Sequence, residues 1–271
     1  MDTVVLIGVI IGGLALIVTI LIHLDNKRRD KRDDKWLEVY SKALDKIPDQ
    51  ITKDTVIQPP ENYEQIEQKA NELIKRKGYI NGWDLLKIGN VEYSKSNYLK
   101  AQHYFEVSLD QAKERKEREL EAVALGNLSL VFYEKPDFDK AIELSQKAKE
   151  INIAIGRKRG YASNLNNLIM IYQERQLGDD LDTALVLFEE AIKIYDSIKE
   201  KDVEGRKKGL ANLYGNIGLV YKKKGDLKQA MFYYEQSLEL HKKTENDFGV
   251  ASCLGNIGIL KRNNNELDEA L

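Results

Sequence analysis

The chain is poor in the residues that build covalent or metal-bound frameworks. It has one cysteine, Cys253, which excludes an internal disulfide and a multi-thiolate metal site. Its three histidines, His23, His103 and His241, lie far apart, and none has a ligand-like neighbour three or four residues on. Proline is scarce, with 4 in 271 residues, while Tyr and Leu recur throughout, which argues against a wholly disordered chain. An excess of one charge is also missing: 42 basic side chains face 44 acidic ones, for a net charge of −2. A nucleic-acid-binding domain usually carries a basic surplus, so no nucleic-acid partner is expected. Glycine-rich phosphate loops, HExxH and GxSxG are all absent. No cofactor, no metal and no enzymatic activity are therefore expected.

One long apolar run is present. From Val4 to Ile22 only Thr19 carries a polar side-chain group. At ~1.5 Å per residue the run would span about 28 Å, enough for a bilayer core of roughly 30 Å. A cleaved signal peptide would want a basic start, and Met1-Asp2-Thr3 has none. Six basic residues follow the run between Asp25 and Lys35, and none precedes it. The positive-inside rule then predicts a single-pass membrane protein with its N-terminus outside and the rest in the cytoplasm. Gly8 and Gly12 have a GxxxG spacing that could bring two such helices together as a homodimer.

Residues 1–25 are thus expected to be the anchor, and 26–61 a charged stalk and Pro-containing linker. In the stalk, a short helical stretch from Trp36 reaches about Ile47, where Pro48 stops it. Pro48, Pro59 and Pro60 with few large apolar side chains mark the linker. Ile66, Ala70, Leu73 and Ile74 fall on one face of a helix expected over about 62–77, with Gly78 just past its end. Residues 62–80 are expected to cap the array that follows.

Residues 81–271 repeat. Ala101, Ala141, Ala184, Ala230 and Ala270 are separated by 40, 43, 46 and 40 residues. Twelve positions before them come Gly89, Ser129, Gly218 and Gly258, and four after come Phe105, Ser145, Phe188 and Tyr234. The third unit is displaced by a three-residue insertion near Gln176-Leu177-Gly178, and six more residues enter near Lys199 to Arg206. Each unit reads as two amphipathic helices. In the fourth these are Asn212 to Lys224, then a Gly225-Asp226 turn, then Leu227 into His241. One such unit cannot bury its apolar face alone, so stacking is required.

These columns, strongest in Tyr214-Gly215-Asn216-Ile217-Gly218-Leu219-Val220-Tyr221 with Ala230, Tyr234 and Ser237, resemble the tetratricopeptide repeat (TPR) family. The resemblance covers about four and a half units, the last incomplete, from about residue 83 to Leu271. The ~40-residue spacing is similar to the longer-helix variety of kinesin light chains, Leu-Gly-Asn repeat adaptors and bacterial peptide-sensing regulators. It implies an all-α fold, a right-handed solenoid of helix-turn-helix repeats, here with one N-terminal transmembrane helix. Ile169 in place of a small residue, Ser145 in place of an aromatic, and Glu92 and Lys261 in place of the family tyrosine depart from the pattern and suggest uneven packing. Leu271 falls in the middle of an expected second helix, which suggests a piece of a longer protein.

In that family the first helices line a concave groove. Asn127, Asn167, Asn216 and Asn256 share one groove-facing column in four consecutive units. Asparagine is a poor helix former, so propensity does not explain the column. Its amide donates and accepts, which suits a peptide backbone, and the resemblance implies that use. The alternative is that these side chains bond between adjacent repeats. Asn90, Lys87, Lys223 and Arg262 accompany the column, the cations suiting an acidic peptide or a carboxylate. Leu130, Met170, Leu219 and Ile259 would add apolar contacts. The expected function is a membrane-anchored scaffold that binds a protein or peptide segment in this groove. The alternative is the sensory part of a signalling protein whose effector lies beyond Leu271.

Overall fold

The computed structural model describes residues 38–52, 57–75, 80–198 and 203–268, with side chains described as far as Arg262. These residues fall into two units. The first takes those up to Lys46 together with Pro60–Ile80; the second takes Ile47–Pro59 and everything from Asn81.

The first unit holds helical turns over 38–44 (α1) and α2 (Tyr63–Lys75). Ile66, Ala70 and Leu73 are buried along one face of α2, as their spacing predicts.

The second unit is a stack of helices: α3 (Gly82–Ser94), α4 (Tyr98–Arg115), α5 (Arg118–Glu134), α6 (Phe138–Ala154), α7 (Lys158–Arg175), α8 (Asp180–Asp196), α9 (Val203–Lys223), α10 (Leu227–Lys243) and α11 (Asp247–Asp268). Each helix packs on the next in the chain. The odd-numbered, first helices of successive pairs also pack on one another, α3 on α5, α5 on α7 and α7 on α9, whereas the second helices meet little or not at all. First helices therefore form the crowded inner layer of the solenoid. Turn chemistry fixes the joints. Gly225 adopts φ +83°, a left-handed value that costs glycine little, and the Asp226 side chain accepts from the Gln229 N–H at 3.0 Å. Asp137 caps α6 the same way at 3.2 Å.

The alanine column is the seam of each pair: Ala101, Ala141, Ala184 and Ala230 are all fully buried. Beside it, bulk on one helix is matched by lack of bulk on its partner. A Cβ on Gly89 would lie 2.5 Å from the Phe105 ring, and one on Gly218 would lie 2.7 Å from the Tyr234 ring. Glycine is required at both places because the aromatic occupies the space. Where the second repeat carries Ser129 instead of glycine, the aromatic gives way to Ser145, and the two buried hydroxyls bond at 2.9 Å. The departure expected to make the packing uneven is thus a compensated swap. Glu92, in a tyrosine column, is buried but accepts from Asn97 at 2.8 Å and pairs with Lys95 and Lys100.

The first insertion forms a loop closed by Arg175, which donates twice to Asp180 at 2.9 Å and once to Asp139 at 2.6 Å. The second is absorbed in part by a longer α9, which begins at Val203 instead of near Asn212. The last helix also differs from the repeat spacing. α11 continues to Asp268 where the spacing calls for a turn ahead of Ala270, and no glycine stands there to end it.

Two expectations are corrected. The fold was expected to include one transmembrane helix, and the location to be a single membrane pass with the N-terminus outside and the repeats in the cytoplasm. Among the described residues, no helix is long and apolar enough to cross a membrane. Even a long one such as α9 carries Glu204, Arg206, Lys207 and Lys208 at one end and Lys222 and Lys223 at the other. Each such charge at mid-bilayer would cost about 2.5–3.5 kcal/mol. The run from Val4 to Ile22, with Gly8 and Gly12, lies outside the described residues. The architecture is an all-α TPR-like solenoid without a membrane span among them.

Candidate peptide groove

The inner layer places Asn90 on α3 and Asn127 on α5 side by side, both fully buried. Asn127 donates to the Asn90 side-chain oxygen at 2.8 Å, so the column bonds between adjacent repeats. It also does more. The same Nδ2 donates to the Asp49 carbonyl at 3.0 Å, and Oδ1 accepts from the Ile51 N–H at 3.4 Å. Asn90 donates to the Pro48 carbonyl and, at 3.0 Å, to the Asp49 carbonyl. Lys87 lies 3.9 Å from the Asp49 carboxylate. Asn90 and Asn127 thus bond the chain's own backbone at Pro48, Asp49 and Ile51.

Residues 47–52 take this position for a physical reason. Pro48 has no N–H and biases Ile47 away from helix, so the segment cannot satisfy its backbone by coiling. A non-helical backbone that enters a protein interior needs partners, and the two amides supply both donors and acceptors. Ile51, 1% exposed, joins the core cluster formed with Leu86, Leu125 and Leu128. Burying such a side chain stabilises by roughly 1.5–3 kcal/mol. Composition marks residues 48–60 as linker. The signal that points to the groove is the pair Ile47 and Ile51, both buried, on either side of Pro48-Asp49-Gln50.

Next to Thr52 the described residues enclose a cavity of about 150 Å³. It is lined by Thr52, Met170 and Leu219 and by seven amide side chains, Asn166, Asn167, Gln173, Asn212, Asn216, Asn246 and Asn256. Among the described residues its wall has no Asp, Glu, Lys or Arg. Three of these amides are the column residues of repeats three to five. The others, such as Asn166 and Asn246, fall outside the shared column. Asn216 donates to Asn166 across the repeat boundary at 3.0 Å, so structural and groove-facing roles coexist there too.

A second cavity, of about 330 Å³, lies against the segment at Pro48, Asp49 and Gln50. Arg157, Arg159 and Lys208 make its wall basic. Arg157 pairs through Nε with Glu119 at 2.9 Å, while its buried Nη1 has no hydrogen-bond partner among the described residues. Tyr195 also lines this space, and burial pushes its phenol up to about 12, keeping it a proton donor at neutral pH.

The expected cations separate. Lys87 faces the segment. Lys223 turns to the Gln173 carbonyl at 2.9 Å and to Glu174 at 3.3 Å. Arg262 is exposed on α11 and lines neither cavity. Of the expected apolar contacts, Met170 and Leu219 reach the cavity, Leu130 is buried in the core, and Ile259 is exposed.

A family model described as tetratricopeptide repeat matches residues 84–154 and 209–271. The stretch between them contains both insertions and Ile169, where the columns break. A heat shock protein sti1 homolog from Schizosaccharomyces pombe is 33% identical over 110 residues, 41% of this chain. The match spans only 16% of that protein's length. Among solved structures, BtubC (BKLC) from P. vanneervenii superposes with a TM-score of 0.55 at 18% identity, covering 77% of this chain and 82% of that one. The apo quorum sensor NprR from B. thuringiensis gives 0.56 at 23%, covering 77% of this chain and 57% of that one. NprR in complex with its cognate peptide NprX gives 0.57 at 22%, covering 77% and 59%. At these identities the likeness is one of fold.

Proposed function

The chain belongs to the tetratricopeptide repeat family, and from that premise we propose that it is a scaffold whose first-helix groove holds a peptide segment of a partner protein. The observation that carries this is the amide-lined cavity at Thr52, next to a segment whose backbone Asn127 of the same column already holds. Amide side chains read a main chain whatever its side chains, while Met170 and Leu219 offer apolar contact. The binding of NprX by NprR, a protein of similar fold, supports the same use here. Asn167, Asn216 and Asn256 are the residues assigned to the ligand backbone.

The test is selection of phage-displayed random peptides on the full chain. Selected peptides are expected to lose at least about tenfold in affinity, ~1.4 kcal/mol, in Asn216→Ala/Asn256→Ala, with helicity by circular dichroism unchanged. Peptides that bind the double variant as tightly as the parent would sink the groove reading.

A further inference from the structure

The segment in the first half of the groove also describes a ligand. We propose that residues 47–52, Ile-Pro-Asp-Gln-Ile-Thr, act as a tethered ligand, and that the partner segment this groove takes has the same chemistry: a short, non-helical peptide with a proline-acidic pair set between two aliphatic residues. The inference rests on the groove reading above and adds the partner's pattern and its competition with the chain itself.

Each feature of that pattern meets a matching feature of the groove. The proline carbonyl and the acidic residue's carbonyl both accept from Asn90, and the latter also accepts from Asn127. Asn127 then takes the N–H two residues on, at Ile51, so one amide grips the backbone on both sides of Gln50. The Asp49 carboxylate faces Lys87 at 3.9 Å, and the cavity beside it is walled by Arg157, Arg159 and Lys208. In that wall Arg157 pairs with Glu119 at 2.9 Å and Lys208 with Glu204 at 3.2 Å, while the Nη1 of Arg157 has no hydrogen-bond partner among the described residues. The following aliphatic side chain enters the core cluster as Ile51 does.

Because the segment is covalently attached, it competes at a high effective concentration. The contacts that hold it include two amides, one ion pair and two buried isoleucines. A free peptide of the same pattern therefore meets a site that is filled most of the time, and its apparent affinity falls by the fraction of open groove.

The experiment uses a fluorescein-labelled peptide of residues 46–52, Lys-Ile-Pro-Asp-Gln-Ile-Thr, titrated by polarisation against the full chain and its Ile51→Asp variant. Asp at position 51 cannot stay buried, so the tethered copy leaves. Ile51→Asp is expected to bind the peptide about tenfold tighter or more than the parent, and Asn90→Ala/Asn127→Ala added to it is expected to abolish the gain. Equal binding by parent and variant, or a gain that survives loss of both amides, overturns the proposal. Circular dichroism checks that the array stays helical. If Ile51→Asp unfolds it, Asp49→Ala, which loses only the Lys87 pair, takes its place with a smaller gain expected. A second readout is hydrogen exchange at the Ile51 amide of the parent chain. Its protection should fall as free peptide is added, and unchanged protection at saturating peptide overturns the proposal. Phage-selected peptides that depend on Asn216 and Asn256 but leave Ile51 protected would overturn this inference alone. Loss of that dependence would instead remove the groove reading beneath it.

Discussion

The second and fourth repeats follow one design with opposite local solutions. In the second, the seam pairs Ser129 with Ser145, and Asn127 is sealed beneath the chain's own Asp49 and Ile51. In the fourth, the seam pairs Gly218 with Tyr234, and Asn216 borders a cavity and, among the described residues, bonds only to Asn166. The comparison teaches that seam and groove are independent variables in this fold. The seam decides how a pair of helices closes, and the groove column decides what the inner face holds. The largest expected effect lies in the seam. Tyr234→Ala empties a fully buried ring opposite a glycine and should cost about 3–5 kcal/mol in urea unfolding. Ser145→Ala removes one buried hydroxyl bond and should cost about 1 kcal/mol. Equal costs would break the comparison. Tyr234→Phe sharpens it further. The Tyr234 hydroxyl is buried without a partner among the described residues, and the same column carries Phe105 in the first repeat. This substitution should be neutral or stabilising by up to about 1 kcal/mol.

The next effect separates the two asparagines. Asn127 is fully buried, and its loss strands the Asp49 carbonyl and the Ile51 N–H at once. Asn127→Ala should cost about 2 kcal/mol, and Asn216→Ala, half-buried with one bond, less than about 1. Unfolding midpoints for the two variants check this, and a larger loss at Asn216 would mean that its bond to Asn166, more than the segment beneath Asn127, holds the inner layer together.

Much of this was legible in the sequence for a physical reason. A repeat buries the same columns in each unit, so periodicity exposes the seam directly: Ala101, Ala141, Ala184 and Ala230 are all fully buried. The Gly225-Asp226 turn follows from local chemistry and appears as read. Asparagines at one groove position contradict helix propensity, and that conflict marked the inner face. What could not be read was which chain the asparagines hold. The contact of Asn127 with Asp49 spans 78 residues and follows no period. The Ser129–Ser145 exchange was visible only as two separate departures, because compensation is a property of the pair. Lys223 and Arg262 show the same limit in reverse. Their helical position allowed a groove-facing role, but a long flexible side chain goes to the nearest acceptor, and for Lys223 that is the Gln173 carbonyl and Glu174.

The smallest expected effect lies between the compared repeats, at the loop of the third. The Arg175 guanidinium, by hydrogen bonding, holds the buried Asp180 carboxyl below the usual aspartate range, with help from the Leu177 N–H at 2.8 Å. A carboxyl whose folded value is depressed favours the folded state fully above its unfolded value, about 3.9. That contribution is lost as the pH falls through the folded value. Stability should therefore be flat in this respect above pH ~5 and should fall below pH ~4. Asp180→Asn should be less stable than the parent by about 1 kcal/mol or less at pH 7, with the gap closing toward pH 3. Urea midpoints for both proteins across that range decide the matter. A gap that stays constant to pH 3 would mean that Asp180 acts through its shape in the loop and not through its charge. The insertion would then be held by the backbone of Gln176, which turns at φ +51°, and Arg175 would serve chiefly to reach across to Asp139 on the preceding repeat.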